Sequence, residues 1–418
     1  MKMLRLFEMA LSIQEPWYVK GITFKEEEKQ LDIQIDFKRG SKFYYQDESS
    51  GQEGNYSVHD SVEKRWRHLN FFEHECYLIC RTPRVKLPDG SVRLISPPWA
   101  GVNSGFTLLF EALILELCRN MPVATVGRII HESDDKLWRI LGKYIDESRE
   151  QCDYSMVSKV GIDETSRAKG HDYVSLFVDL EEKRTLFITE GKGSETVTAF
   201  ARDLELHQGN SEKIDGICCD MSPAFIKGVS DSFPAAQITF DKFHILKLIN
   251  EAVDAVRRQE VKLHSILKGS RYLFLKNSDN LTQHQRELLS EIKLSKLNLK
   301  TVRALQIREA FQAIYQAQSV QEFVALLKKW YWWATHSRIK PIQEVAHMIK
   351  RHWQGIINWK TSRISNGLLE GLNSLIQAAK SKARGYSSPK NFKIIAYLIT
   401  GKLNFAITTA IKYINILL

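Results

Sequence analysis

KVGIDETS (159–166), YVSLFVDL (173–180) and RTLFITE (184–190) are three short runs of β-branched and aromatic residues separated by polar turns. Each is too short for a typical core helix and too apolar for a loop, so each reads as a strand. An amphipathic helix follows over 194–206. IDGICCD (214–220) returns to a strand, 223–229 reads as a short helix opened by Pro223, and AAQITFD (235–241) is a fifth strand.

The order β-β-β-α-β-α-β is that of the ribonuclease-H fold, in which the first strand is central and the fourth lies beside it. Acids in the middle of one and at the end of the other then converge, and these are Asp163 and Asp220. Side chains alternate along a strand, so only one of Asp163 and Glu164 joins Asp220. Asp163 is the choice, because Val160 and Ile162 bracket it with the apolar phase of a buried strand. A third carboxylate is expected from a helix packed on that sheet. Glu370 lies one turn inside a helix beginning near Asn366, after a break at Ser365-Asn366-Gly367. Its face carries Asn373, Gln377, Lys380 and Arg384, while Leu368, Leu372, Leu375, Ile376 and Ala379 form the opposite apolar stripe. An acid heading a polar-to-basic stripe suits metal-dependent phosphoryl transfer beside DNA. Two Mg2+ (or Mn2+) ions roughly 3.5–4 Å apart, bridged by Asp163, Asp220 and Glu370, would activate the attacking oxygen and stabilise the leaving one.

Upstream, residues 105–148 carry Phe106, Leu109, Phe110, Leu113, Ile114 and Leu117 at helical spacing. A short helix after Pro122 and a longer one after Ser133-Asp134-Asp135 follow. Two helices joined by a tight polar turn have the layout of a helix-turn-helix, and Lys136, Arg139 and Lys143 on the second could reach DNA. Residues 21–100 mix alternating runs such as LDIQIDF (31–37) with a polar loop over 47–55, which suggests a small β-rich module. Cys76-x3-Cys80 has no second close Cys pair and only scattered His59, His68 and His74, so zinc is not expected. Residues 242–355 read as helix after helix. There KKWYWWATHSR (328–338) supplies Trp330, Trp332 and Trp333, either as helix-packing core, the heavier reading, or as a platform for unstacked bases. GKGS (191–194) lacks the glycine spacing and ending of a phosphate loop. No Ser, Cys or His arrangement suggests a covalent nucleophile.

The chain has 418 residues, a net charge of +10, 44% hydrophobic and 26% charged residues. These values exclude a disordered, collagen-like or polytopic membrane protein and suggest two to four folded units. The charge is uneven. Residues 301–418 hold 17 Lys+Arg against 4 Asp+Glu, a net of +13, while 1–300 have a net of −3. No acid follows Glu370, but Lys380, Lys382, Arg384, Lys390, Lys393, Lys402 and Lys412 do. One-sided charge of this kind marks a polyanion partner. The six cysteines fall at no disulfide spacing and read as free thiols. The N-terminus (1–17) makes a poor signal peptide, and the apolar C-terminus is interrupted by Lys402, Asn404, Lys412 and Asn415. A cytoplasmic, nucleoid-associated protein without a membrane span is expected.

GIDETS (161–166), CCDMSPAF (218–225), FDKFH (240–244) and above all SNGLLEGLNSLIQAAKSKARGYSSPKNF (365–392) resemble the DDE transposases of bacterial insertion sequences, in the group named insertion sequence L-three. The resemblance runs from Trp66-Arg67-His68-Leu69 to Gly401-Lys402-Leu403. It implies Asp163, Asp220 and Glu370 as the catalytic triad, an all-helical insertion before the Glu-bearing helix, and a helix-turn-helix at 105–150. It also implies a DNA transposase that binds terminal inverted repeats, cleaves and joins strands, and works as a homodimer or larger assembly on terminal and target DNA. Asn373, Gln377, Lys380, Lys382 and Arg384 would then meet DNA. Relatives carry a zinc-finger-like segment, whose cysteine positions hold Phe43, Tyr44 and Tyr45 in the loop region and Leu87 here, so the zinc site is expected to be lost. Asp241-x2-His244 matches a pattern seen in several transposases with helical insertions, either a packed pair or a strand contact. A decayed copy that only binds DNA and a structure-specific nuclease share the same fold.

The expected architecture is thus an α/β multidomain chain: a β-rich module (1–104), a helix-turn-helix (105–150), a ribonuclease-H-like core (155–250), a helical insertion (251–358) and the core's C-terminal part (359–418).

Overall fold

The computed structural model describes residues 2–47, 51–101, 103–168, 172–295, 297–362, 367–405 and 407. The break expected at 365–367 and Lys412 therefore fall wholly or partly outside the described residues. The chain forms two compact units, Met1–Arg149 with Leu403–Leu418, and Glu150–Lys402. No helix among the described residues is long and apolar enough to cross a membrane.

The first unit begins with α1 (Lys2–Ala10) and the strands β1 (Trp17–Lys25), β2 (Gln30–Phe37), β3 (Lys42–Asp47), β4 (Gln52–Phe71), β5 (His74–Lys86) and β6 (Val92–Leu94). They make one sheet in the order β1-β2-β5-β4-β3, with β6 also on β5. Helix α1 was not anticipated from sequence; Leu4 and Phe7 settle it against the sheet's core, and Glu8 accepts a hydrogen bond from the Val19 amide (3.0 Å). Phe43, Tyr44 and Tyr45 also differ from expectation. They lie on β3, antiparallel to β4, and Phe43 is buried against Trp17 and Phe37. Burial of that ring, rather than a loop, fixes the segment as a strand. Cys76 and Cys80 point into the same core, and burial pushes both thiols up to about 12.

Next come α2 (Leu108–Asn120), α3 (Val123–Ile130) and α4 (Asp134–Glu150). Thr107 caps α2, and His131 ends α3 in the left-handed region, turning the chain into α4. Gly127 is required at that turn, since a Cβ there would meet Asp134 Oδ1 and the Glu132 carbonyl at 2.8 Å. The buried Glu111 accepts from Tyr144 Oη (2.5 Å), joining α2 to α4. The WRHL segment stitches these helices to the sheet. The Arg67 amide donates to Gly105 O (2.8 Å) and the Thr107 amide to Arg67 O (2.9 Å), while His68 Nδ1 lies 2.9 Å from Thr107 Oγ1.

The second unit contains β7 (Lys159–Ala168), β8 (Asp172–Asp179), β9 (Arg184–Glu190), β10 (Gly216–Cys219) and β11 (Gln237–Phe240), in the order β11-β10-β7-β8-β9. Hairpins join β7, β8 and β9; β10 is parallel to β7, and β11 to β10. The helices are α5 (Ser194–Leu206), α6 (Pro223–Ser232), α7 (Lys242–Glu260), α8 (Arg271–Leu275), α9 (Gln283–Leu294), α10 (Lys300–Ile314), α11 (Val320–His336), α12 (Lys340–Arg351), α13 (Trp353–Ser362), α14 (Gly367–Lys382) and α15 (Pro389–Thr400). One apolar cluster runs from the sheet into α7–α13. Both divisions expected within this unit fall inside helices. Residues 250/251 lie in α7, and 358/359 in α13, whose Gly355 packs directly on Phe240 of β11. Within the helical region Arg308 is buried. It donates to Lys276 O (3.1 Å), Leu275 O (3.3 Å) and Asn277 Oδ1 (2.8 Å), satisfying the carbonyl end of α8.

Candidate active site

Cys218 on β10 pairs in parallel with Gly161 on β7 and with Thr239 on β11. Two residues further along each strand stand Asp220, Asp163 and Asp241. The strands are spaced about 4.8 Å apart, so the register sets the three aspartates in a row, just past the C-terminal ends of β10 and β11 and level with the middle of β7. The Asp241 amide still donates to Cys219 O (3.0 Å), holding that level past the last paired residues. Asp220 Oδ1 then accepts from the Ser222 amide (2.9 Å) and Asp241 Oδ1 from the Phe243 amide (3.1 Å), which caps α7.

Helix α14 lies along β7 in matched register. A Cβ on Gly161 would sit 2.3 Å from Leu369 Cδ1, so only glycine admits the helix this close. Asn373 Nδ2 donates to Asp163 Oδ2 (2.5 Å) and Gln377 Nε2 to Thr165 Oγ1 (2.6 Å). Steps of four helical residues, about 6.0 Å, match steps of two strand residues, about 6.6 Å. Gly161, Asp163 and Thr165 therefore share the face beneath α14, while Val160, Ile162 and Glu164 share the other. Asp163 thus stands under the Glu370 helix for a different reason from the apolar bracketing used in the sequence reading.

The stripe read as facing DNA is turned largely toward the sheet. Asn373 and Gln377 hold β7, and Lys380 Nζ donates to Ser166 O (2.6 Å). The polar stripe meets the polar end of the strand, and Leu375, assigned to the apolar stripe, is 52% exposed. Lys382 and Arg384 are exposed, and Arg384 lines a cleft with Ser166 and Arg167 of β7. In α4, Lys136 is paired with Glu132 (2.7 Å) and Lys143 lies 3.9 Å from Glu147. Arg139 is exposed. Trp330 is buried and donates Nε1–H to Ile307 O (2.8 Å), whereas Trp332 and Trp333 are exposed.

The electrostatics join these acids. Burial, with Asp241 and Asp220 adding repulsion, pushes the Asp163 carboxyl up to about 6 against the opposing pull of the Glu164 amide and His244. Glu164 is raised by burial and by Asp220, and Glu370 by burial and by Asp241. His244 Nδ1 lies 2.9 Å from Asp241 Oδ2, and that carboxylate raises the imidazole's affinity for its proton. The pair is an ion contact rather than an aligned hydrogen bond, because Nδ1 has no partner in hydrogen-bond geometry. Asp241 thus belongs to the acid cluster itself. Its sequence signal was an Asp ending the fifth strand as Asp220 ends the fourth.

A divalent cation fits this donor set. Hard carboxylate oxygens repel one another in a partly buried site, and Asn373 Oδ1 beside them is a buried acceptor without a donor. As placed, no three such groups among the described residues close around a metal position.

A family model described as a transposase, DDE_Tnp_ISL3, matches residues 160–396. A second, the helix-turn-helix domain of transposase family ISL3, matches 95–145. The chain is 28% identical over 351 residues to the transposase for insertion sequence element IS1001 of Bordetella parapertussis, covering 80% of this chain and 84% of that protein. It is 25% identical over 439 residues to the transposase for IS1557 of Mycobacterium tuberculosis, covering 95% and 96%. The first family model spans more than half of the chain, from the first core strand to the last described helix, and brackets the whole acid row. The chain accordingly belongs to the ISL3 family of insertion-sequence transposases, DNA-binding DDE enzymes that cleave and transfer DNA strands and use divalent metal.

Proposed function

We propose that the sheet β7–β11 with α14 is a ribonuclease-H-like catalytic core, interrupted after β11 by a helical insertion, and that Asp163, Asp220 and Glu370 are its catalytic acids. The observation that carries this reading is the row of aspartates at one register level beneath the Glu370 helix. Asp163 and Asp220, with Glu370 and the neighbouring Asp241, would hold Mg2+ or Mn2+. Bound there, such ions would supply activation of an attacking water or 3′-hydroxyl and stabilisation of the leaving oxygen. The chain's own part is placement. Asn373 fixes the Asp163 carboxylate, Ser222 and Phe243 amides fix Asp220 and Asp241, and burial keeps Asp163 poorly solvated until a cation compensates it. Lys382 and Arg384, both exposed, would neutralise backbone phosphates, and α4 would read terminal inverted repeats in the major groove. Two element ends must meet for strand transfer, which favours a dimer or larger assembly on DNA.

The test is cleavage of a duplex carrying the inverted repeats that flank the gene. Cutting should require Mg2+ or Mn2+ and be lost in Glu370→Gln; that variant cutting at the wild-type rate overturns the assignment.

A further inference from the structure

Helix α7 starts at the acid row and runs away from it as one wall of an open groove of about 780 Å³. The opposite wall is the end of α8 and the turn after it. Two features of the groove are unexplained by folding. Three guanidiniums gather on one carboxylate: Arg257, Arg258 and Arg271 lie 2.8, 3.2 and 4.0 Å from Asp254. One negative charge leaves two positive charges uncompensated at that point, and Lys247 and Lys276 add more against a single further acid, Glu251. Asn250, also in the lining, has a buried Oδ1 with no donor among the described residues.

At the end nearest the acids the lining turns apolar, with Phe243 47% exposed beside Leu246. Phe243 lies two residues from Asp241, so the aromatic ring is anchored at the acid row and the arginines lie about 22 Å further along the helix axis. A basic track with an aromatic entrance suits a strand whose base faces are exposed, because bases stack on the ring while phosphates follow the charges. A duplex keeps those faces inside.

We propose that this groove carries a single DNA strand away from the acid row, with Phe243 stacking on a base near the reacting phosphate and Arg258 and Arg271 binding its backbone. The inference rests on the DNA-processing reading above and adds a path for one strand.

The test uses the full chain in EDTA, so that binding is read without cleavage. Fluorescence anisotropy would follow a labelled 20-nucleotide oligothymidylate and a 20-base-pair duplex between 50 and 200 mM salt. Arg258 and Arg271 side chains are 66% and 59% exposed, so Arg258→Gln/Arg271→Gln leaves the fold intact. Loss of two phosphate contacts should make the log–log salt slope for the oligothymidylate shallower by about 1.4 and weaken binding about tenfold at low salt. Duplex binding should change much less. An unchanged slope and affinity for the single strand overturns the proposal, and so does an equal loss on both probes. If the unaltered chain binds neither probe, the DNA-processing reading fails as well, which separates the two failures.

Discussion

Buried charge is handled in opposite ways at two places in this molecule. In the first unit, Arg67 is 3% exposed and surrounded by acceptors and ring faces. It donates to Asn70 Oδ1 (2.8 Å), His68 O and Cys76 O, pairs with Glu75 at 3.6 Å, and lies over Tyr77 and Phe110. In the second unit, Asp163, Asp220 and Asp241 are gathered with Glu370 and repel one another. The first cluster compensates its charge within the protein and so serves the fold. The second has only His244, beside Asp241, against four acids, leaves the rest of the compensation to something bound, and so costs stability that function recovers.

The contrast is broken most directly at Asp163. Asp163→Asn should reduce metal-dependent cleavage by at least about 10³-fold, since a ligand and its charge are lost. In metal-free buffer at pH 7 the same variant should be more stable than wild type, by roughly 3 kcal/mol. A carboxyl whose folded pKa is raised from 3.8 to about 6 destabilises the fold at every pH above both values. Denaturant unfolding with EDTA reads this, and a variant destabilised there would remove the strained-acid interpretation. Arg67→Met should do the reverse: a loss of about 3–5 kcal/mol in the first unit, because Glu75 and the facing carbonyls lose their buried partner. Unfolding midpoints would report it, and a change below about 1 kcal/mol would show that the contacts at Arg67 are not cooperative.

The smallest effect concerns His68. Burial, with Arg67 beside it, lowers its pKa from 6.5 to about 4. Above pH 6.5 the ring is neutral folded or unfolded and contributes no pH dependence. Between about 6.5 and 4 the unfolded chain takes up a proton that the folded chain refuses, so stability falls, by up to about 3 kcal/mol. His68→Gln should flatten that limb of the stability–pH profile; an identical slope in the variant would place the acid sensitivity elsewhere.

Much of this was legible in the sequence, and the misses have identifiable causes. The five core strands were visible because each is a short run of β-formers bounded by turns, and α5 because Val197, Phe200 and Leu204 repeat on one face. Helical spacing also placed Asn373, Gln377 and Lys380 together on α14. It says which side chains share a face, but not what that face meets, and here it meets the polar end of β7. Phe43–Tyr45 sits between Gly40-Ser41 and a polar stretch, so local composition read as loop; its pairing with 54–56 and its contact with Trp17 are long-range. The level row of aspartates depends on inter-strand register, which spacing along one chain does not contain.

Asp241 is the last residue of the strand layer and the cap of α7 at once. No linker separates the sheet from the helices that follow it, so the chain has no slack there. Length changes between homologous chains should be absorbed in the turns after α7, such as 261–270 or 276–282, and not between 238 and 246. One residue added at that junction would shift Asp241 off the aspartate row and rotate α7 by about 100°, turning the arginines of its groove away from the path that begins at the acids.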